Sequence, residues 1–167
     1  MSKLELITHL YEYNEWANGR LLDTASAIPD ADLATAKGAS FESILGSFGH
    51  LAAAQINWLE RWLTGSNQVS GVELGKMPDL STVRAAFLAS HIGLREFVDG
   101  LTEQRLDADL SFRDSAGQQA VRPLWQLMTH VANHGTYHRG EIAMMLSVLG
   151  HSPGDLDFQG WEFEHHP

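Results

Sequence analysis

Apolar side chains recur at helical spacing in four long segments of the chain. The first segment runs from about residue 3 to about residue 27 and ends before Pro29. The second runs from about residue 41 to about residue 63, opening after Ser40 and ending at Gly65. Each is predicted to be a helix of more than about five turns with one side facing a core. The core-facing positions are Ile7, Leu10, Asn14, Ala17 and Leu21 in the first helix and Ile44, Phe48, Leu51, Gln55, Trp58 and Trp62 in the second.

Two further helices are predicted in the second half of the chain. The third spans about residues 80 to 102, with the hydroxyl of Ser81 as the candidate N-cap. The fourth follows Pro123, a residue suited to the first turn of a helix. It continues to about residue 149, and Gly150 is its stop signal.

The segments between and after these helices predict the connections. Residues 65 to 79 are polar and contain glycine without a helical period, so they predict a long crossover loop. Residues 110 to 122 alternate around a turn at 114 to 117 and predict a small β-hairpin before the last helix. The tail, residues 151 to 167, retains three aromatic residues and is expected to pack on the helices. Together these elements predict an all-α fold, a four-helix bundle in a single domain of residues 1 to 167.

The charge balance disfavours two classes of partner. There are 11 Lys and Arg residues against 21 Asp and Glu residues, which gives a formal net charge of -10. Nucleic acids and anionic membranes both attract basic surfaces, so we expect neither as a partner. No apolar run approaches the roughly 18 residues that indicate a membrane-spanning helix. The first residues also lack the features of a secretory signal, and we therefore expect a cytoplasmic protein.

The absence of cysteine restricts the chemistry of any site in this chain. Without cysteine there is no disulfide, no Cys-ligated zinc and no thiol nucleophile supplied by the protein. A metal must therefore be bound by His, Asp, Glu or water. A reaction that uses a thiol must take it from a substrate or a cofactor.

Three histidines at four-residue intervals, His130, His134 and His138, form the most informative pattern. Successive members differ by only about 40° around a helix, so neighbouring imidazoles lie in one row and can chelate one ion. The row lacks the Glu of the zinc-protease helix, and a third ligand must come from elsewhere. Histidines that simply hydrogen bond inside a core are the alternative. Candidates for the missing ligand are His9, His50, His91 and Glu141.

Residue spacing does not choose among these candidates. Glu141 lies three residues after His138, where it can bind a metal, hydrogen bond to the histidine or form a surface salt bridge, and the salt bridge is favoured. His50 lies about 120° from the centre of the stripe on its helix. A di-iron site is disfavoured because only residues 162 to 165 match its Glu-x-x-His motif. Neither a Gly-rich phosphate-binding loop nor a Gly-x-Ser-x-Gly nucleophile motif is present.

Three motifs in order resemble those of one known family. They are YNEWANGRLL at residues 13–22, GHLAAAQINWLERW at 49–62 and HVANHGTYHRGEI at 130–142. The chain resembles the DinB family, also called DinB/YfiT-like proteins, over nearly its whole length. The resemblance implies a four-helix bundle, commonly dimeric, with a divalent metal. It implies that the ligands are His50, His134 and His138, whereas His130 lines or braces the site without binding the metal.

Known members of that family include thiol-dependent transferases and isomerases, and other members are described as hydrolases. The resemblance therefore implies a zinc or nickel ion that activates a thiol or water for transfer to a small electrophile. The implied partners are a small-molecule substrate, a low-molecular-weight thiol and a second copy of the chain. A metal-binding or dimerising bundle without catalysis is the alternative. The family often has Gln at the position of Glu141, so this chain adds a negative charge near the site.

Overall fold

Seven helices and one hairpin follow one another along residues 1–35, 40–65, 77–113 and 118–166, the parts of the chain that the computed structural model describes. The four long helices correspond to the four that the sequence predicts, and the predicted all-α fold with a small hairpin is confirmed. In chain order the elements are α1 (Lys3–Ala25), α2 (Asp30–Leu33), α3 (Ile44–Thr64), α4 (Leu80–Asp99), α5 (Glu103–Asp107), β1 (Asp109–Arg113), β2 (Gln119–Pro123), α6 (Leu124–Val148) and α7 (Phe158–His165).

Two of the long helices begin at a different polar residue from the one predicted. The Ser43 hydroxyl caps α3 by accepting a hydrogen bond from the backbone of Gly46, and Ser40, the predicted opening, instead contacts a side chain of α6. The Asp79 carboxylate caps α4, so the prediction of Ser81 is wrong. A carboxylate suits this place because the N-terminus of a helix carries partial positive charge.

The predicted hairpin is present, with β1 and β2 antiparallel and Leu110 opposite Arg122. Pro123 ends β2 and is the N-cap of α6, so its predicted place in the first helical turn is wrong. Its φ of -61° and ψ of 144° belong to extended backbone, which lets one residue close the strand and open the helix. The predicted turn at residues 114 to 117 and most of the predicted loop, residues 66 to 76, lie outside the described residues.

The four long helices form a ring in which α1 packs against α4 and α6, and α3 packs against the same two helices. Buried apolar side chains fill the interior in two large clusters, and each such side chain contributes about 1.5–3 kcal/mol. The first cluster includes Leu21, Phe48, Phe87 and Ile142, and the second includes Ile7, Trp62, Leu124 and Met128. The seam between α3 and α6 therefore joins the two segments that carry the GHL and HVANHGTYH motifs.

The C-terminal tail packs on the bundle as predicted, and it does so through α7. Trp161 is only 3% exposed and lies in a third apolar cluster with Tyr13 and Ala17 of α1. Phe163 points away and is 71% exposed, so it takes no part in this packing. No helix in the described ranges combines the length and the apolar character needed to cross a membrane.

Candidate metal centre

Three histidines from two helices converge at the seam between α3 and α6. Nε2 of His134 lies 3.1 Å from Nε2 of His50 and 3.2 Å from Nε2 of His138. One ring nitrogen from each residue lies within 4.8 Å of the others. His138 is buried, whereas His50 and His134 are partly exposed, so solvent reaches the cluster through the latter two.

The short distances between these nitrogens suit a shared cation. His138 directs Nδ1 toward the carboxylate of Glu141, so its Nε2 presents a lone pair to His134. One proton on Nε2 of His134 can serve only one of its two neighbours. A metal with bonds of about 2.0–2.1 Å at tetrahedral angles would place its nitrogen ligands about 3.3 Å apart. The observed 3.1 and 3.2 Å are close to that value, and the residues fit a divalent metal.

Glu141 holds His138 from the side away from the cluster. Its Oε2 lies 2.7 Å from Nδ1 of His138, and its Oε1 accepts a hydrogen bond of 2.5 Å from the hydroxyl of Ser40. Burial acts to raise the pKa of Glu141, but the hydrogen bonds from Ser40 and His138 outweigh it and hold that pKa below its ordinary value. The favoured interpretation of a surface salt bridge is wrong, because the side chain is 16% exposed and is used by these two residues.

Aromatic stacking sets the orientation of His50. Its ring lies on the ring of Phe41 with centroids 3.8 Å apart and planes 17° apart, and Phe41 also contacts the ring of His138 edge-on. Nδ1 of His50 is buried and has no hydrogen-bond partner within the described ranges. Stacking on Phe41 therefore restricts the ring plane of His50, whereas a hydrogen bond to Glu141 orients the ring of His138.

Burial keeps two of the imidazoles uncharged. Burial and then the charge of His138 lower the pKa of His50 to about 4. Burial and the neighbouring histidines likewise lower the pKa of His134 to about 4. Both rings are therefore unprotonated near neutral pH, the form in which imidazole binds a metal.

Arg139, the residue after His138, anchors α6 on α1. Its side chain is 2% exposed, and it donates to Oδ1 of Asn14, to Oδ1 of Asn18 at 3.3 Å and to the hydroxyl of Thr136 at 3.0 Å. Burial lowers the pKa of Arg139, and no carboxylate among the described residues forms an ion pair with it. The sequence pattern alone does not predict this network. One residue in the sequence does indicate a buried polar network. Asn14 is a polar residue within the apolar stripe of the first helix, and a buried amide needs a hydrogen-bond partner.

Gly135 permits the close approach of these groups. A Cβ atom at residue 135 would lie 2.7 Å from Nη1 of Arg139 and 2.8 Å from Oδ1 of Asn14. Distances this short are not compatible with the observed hydrogen bond between the two side chains. The glycine between His134 and His138 is therefore required by the packing of α6 against α1.

The structure separates the other predicted candidates from the cluster. His9 lies against α7, with Nδ1 2.8 Å from Oε1 of Glu162. His91 is buried between α1 and α4. His130 is exposed and packs edge-on against Trp58, with ring centroids 5.6 Å apart. None of these three belongs to the group of ring nitrogens formed by the described residues at the α3–α6 seam.

Comparison with known proteins identifies the family of this chain. A model of the DinB family matches residues 1–165. The chain belongs to the DinB family. Protein DinB of Bacillus subtilis (strain 168) is 26% identical to it over 161 residues, an alignment that covers 89% of each chain. The family resemblance of the three sequence motifs is therefore confirmed.

Each DinB-family motif has a distinct place in the structure. The motif at 49–62 supplies His50, and the motif at 130–142 supplies the two other histidines together with Arg139. The motif at 13–22 supplies none of the clustered nitrogens, but Asn14 and Asn18 bind Arg139. The first motif therefore supports the third from the neighbouring helix.

Proposed function

We propose that this DinB-family protein is a metal-dependent enzyme in which His50, His134 and His138 hold a divalent ion, zinc or nickel. We propose that this ion activates a thiol or water for transfer to a small electrophile. The observation that carries the proposal is the convergence of three imidazole nitrogens from two helices. Imidazole is a suitable ligand for both metals. Three protein ligands are also the number that catalytic zinc sites use, with the fourth position open.

The residues around the cluster have complementary roles in this function. A divalent ion with an open position lowers the pKa of a bound water or thiol, so that its anion forms near neutral pH. His50 and His134 are neutral ligands and leave the positive charge of the site in place. Glu141 retains the proton on Nδ1 of His138 and so keeps Nε2 available. Phe41 covers one face of His50 and excludes water from it.

The contacts of Glu141 favour catalysis over the alternative of a purely structural metal. A structural zinc site has four protein ligands. Both carboxylate oxygens of Glu141 are used by His138 and Ser40, and the clustered nitrogens of the described residues number three. An open fourth position is therefore the arrangement that these contacts support.

A low-molecular-weight thiol is the co-substrate that we propose. The chain has no cysteine, so a thiol must be supplied from outside. The partly exposed His50 and His134 give a small molecule access to the cluster. Transfer of such a thiol to a small electrophile is our first choice of reaction, and hydrolysis is the second.

Elemental analysis of the purified full-length protein tests the metal site. We expect about one zinc or nickel ion per chain, and we expect His134→Ala to lose it. The matched control is His130→Ala, because His130 lies one helical step away in the same row but outside the cluster. A wild-type protein without stoichiometric metal, or unchanged metal uptake by His134→Ala, would refute the proposal.

Cobalt substitution distinguishes a thiol from water as the activated group. The Co²⁺-loaded protein is titrated with glutathione or cysteine while its absorption spectrum is recorded. A thiolate-to-cobalt charge-transfer band that is missing from His134→Ala supports thiol activation. Hydrolysis of an activated ester without such a band supports water, and the absence of both assigns the protein to the non-catalytic alternative.

We also propose that two copies associate through α6. Tyr137, Met144 and Val148 lie along one side of this helix and are 61%, 57% and 75% exposed. Large apolar residues grouped on an exposed face mark an interaction surface. A stripe along one helix can pack against the same stripe of a second copy related by a two-fold axis.

A further inference from the structure

A cavity of about 150 Å³ lies between α1 and α4, on the side of the bundle away from the histidine cluster. A cavity of this size accommodates a molecule of about six heavy atoms, since an engineered apolar cavity of similar volume binds benzene. Buried side chains form its apolar wall, and these include Tyr11, Leu94 and Val98. The remaining lining is polar and is divided between a buried floor and an exposed mouth.

Two uncharged hydrogen-bond donors lie at the floor. Asn18 accepts from Arg139 through Oδ1, so its Nδ2 donates to Nε2 of His91 at 3.2 Å. The proton of the His91 ring therefore resides on Nδ1, and burial lowers the pKa of this ring to about 4. Asn14 also accepts from Arg139 through Oδ1, which leaves its Nδ2 to donate. The two donors at the floor are therefore Nδ2 of Asn14 and Nδ1 of His91. Both can donate a hydrogen bond to an oxygen atom of a ligand.

A buried positive charge stands behind this floor. Arg139 is 2% exposed and contacts Asn14 directly, and none of the described carboxylates forms an ion pair with it. A buried charge is favoured by an opposite charge nearby. Asn14 lines the cavity and accepts from the guanidinium, so it links an anionic oxygen at the floor to this charge. The floor therefore favours a carboxylate over a neutral oxygen.

The mouth of the cavity favours a positively charged group. Glu12, Glu15 and Asp99 line it together with Arg95. Glu15 is neutralised by Arg95 at 2.6 Å, whereas the one ion-pair partner of Glu12 among the described residues is the imidazole of His166 at 3.2 Å. Asp99 has no cationic partner in the parts of the chain that the structure describes. The excess of carboxylates favours a cationic group on the ligand.

We propose that this cavity binds a small zwitterion, a free amino acid or betaine of about six to eight heavy atoms. Its carboxylate lies against Asn14 and His91, and its ammonium group lies near Glu12 and Asp99. A ligand with a carboxylate but no ammonium group would be repelled by the acidic mouth. A ligand with an ammonium group but no carboxylate would leave the donors at the floor without an acceptor. This binding site is separate from the candidate metal centre, because the residues that line the cavity include none of the three clustered histidines.

Calorimetric titration of the full-length protein with matched small molecules tests the proposal. The zwitterions are 4-aminobutyrate, alanine and glycine betaine, and the probes with a single charge are butyrate and n-butylamine. We expect at least one zwitterion to bind with a Kd below about 1 mM and about tenfold more tightly than either singly charged probe. The proposal is wrong if no zwitterion binds, or if a singly charged probe binds equally well.

Substitutions at exposed positions locate the binding without disturbing the core. Asp99→Asn is expected to weaken zwitterion binding about two- to fivefold, the range for one exposed charge pair. Glu96→Gln removes the same charge from the same helix outside this cavity and is expected to bind as wild type does. Unchanged binding by Asp99→Asn, or an equal loss in both variants, would overturn the assignment.

A final variant separates this cavity from the candidate metal centre. Amino acids also coordinate metals, so a zwitterion bound at the histidine cluster would give a similar heat signal. His134→Ala is expected to retain full zwitterion affinity. Loss of binding in that variant would place the ligand at the cluster and would reject the cavity.

Discussion

The carboxylate of Glu141 is expected to strengthen metal binding through His138. Glu141→Ala removes the contact of 2.7 Å with Nδ1 of His138 and the contact of 2.5 Å with Ser40. A hydrogen bond that involves a charged group contributes about 1.5–3 kcal/mol. Loss of a partner behind a metal-binding histidine lowers affinity about 10- to 100-fold, which corresponds to about 1.4–2.7 kcal/mol. We therefore expect Glu141→Ala to lower zinc affinity within this range. Glu141→Gln should fall at its lower end, because the amide oxygen still accepts.

Competition between the full-length protein and a chromogenic chelator measures these zinc affinities. The matched control is Glu162→Gln, because Oε1 of Glu162 lies 2.8 Å from Nδ1 of His9 in a similar pair away from the cluster. This control should bind zinc as wild type does. The reasoning is refuted if Glu141→Ala binds within about twofold of wild type. An equal loss in Glu162→Gln would indicate an effect on the fold.

Three further predictions concern packing, pH and assembly. Gly135→Ala is expected to cost about 1–3 kcal/mol in urea unfolding, because its methyl group overlaps the buried guanidinium. Gly19→Ala, with no atom within 4 Å of a new Cβ, should be neutral or stabilising by up to about 1 kcal/mol, and equal losses would contradict this. The pKa of His91 is about 4 in the fold against an ordinary 6.5, so the unfolded chain gains a proton first as pH falls. Stability should therefore drop by about 2 kcal/mol more in wild type than in His91→Gln between about pH 7 and pH 5, and parallel curves would exclude this effect. Tyr137→Lys combined with Met144→Lys should shift the protein to a monomer in sedimentation, and a wild-type monomer would refute the proposed interface.

Helical periodicity predicts the long helices of this protein well because each buries one side along its length. The short helices α2 and α5 have four and five residues, too few to display a period. The predicted starts of α3 and α4 are misplaced because each start offers two competent caps, Ser40 and Ser43 for α3 and Asp79 and Ser81 for α4. The choice between them depends on the tertiary contacts of each side chain. The hydroxyl of Ser40, for example, donates a hydrogen bond to Glu141 of α6 and does not cap α3.

Helical periodicity predicts only part of the candidate metal centre. The spacing of His134 and His138 indicates a site, since neighbours in one helical row can share an ion. His50 lies off the core stripe of α3 because it faces the seam with α6, and only the family resemblance identifies it. The burial of Arg139 could not be predicted for a different reason. Its hydrogen-bond partners Asn14 and Asn18 lie in a helix distant in sequence, and a lone arginine in a helix is ordinarily solvated.

Because the clustered histidines come from two helices, metal binding there would affect the amount of folded protein in a cell. His50 and His134 are 84 residues apart in the chain, so a cation held by both would join α3 to α6 as a reversible cross-link. Such a ligand stabilises the fold in proportion to its occupancy, by about 2.7 kcal/mol at a free concentration 100 times its Kd. The melting temperature would then rise with the supply of free metal. In a cell deprived of that metal, a larger fraction of the protein would be unfolded and open to proteolysis, so its abundance would fall together with any activity that depends on the metal.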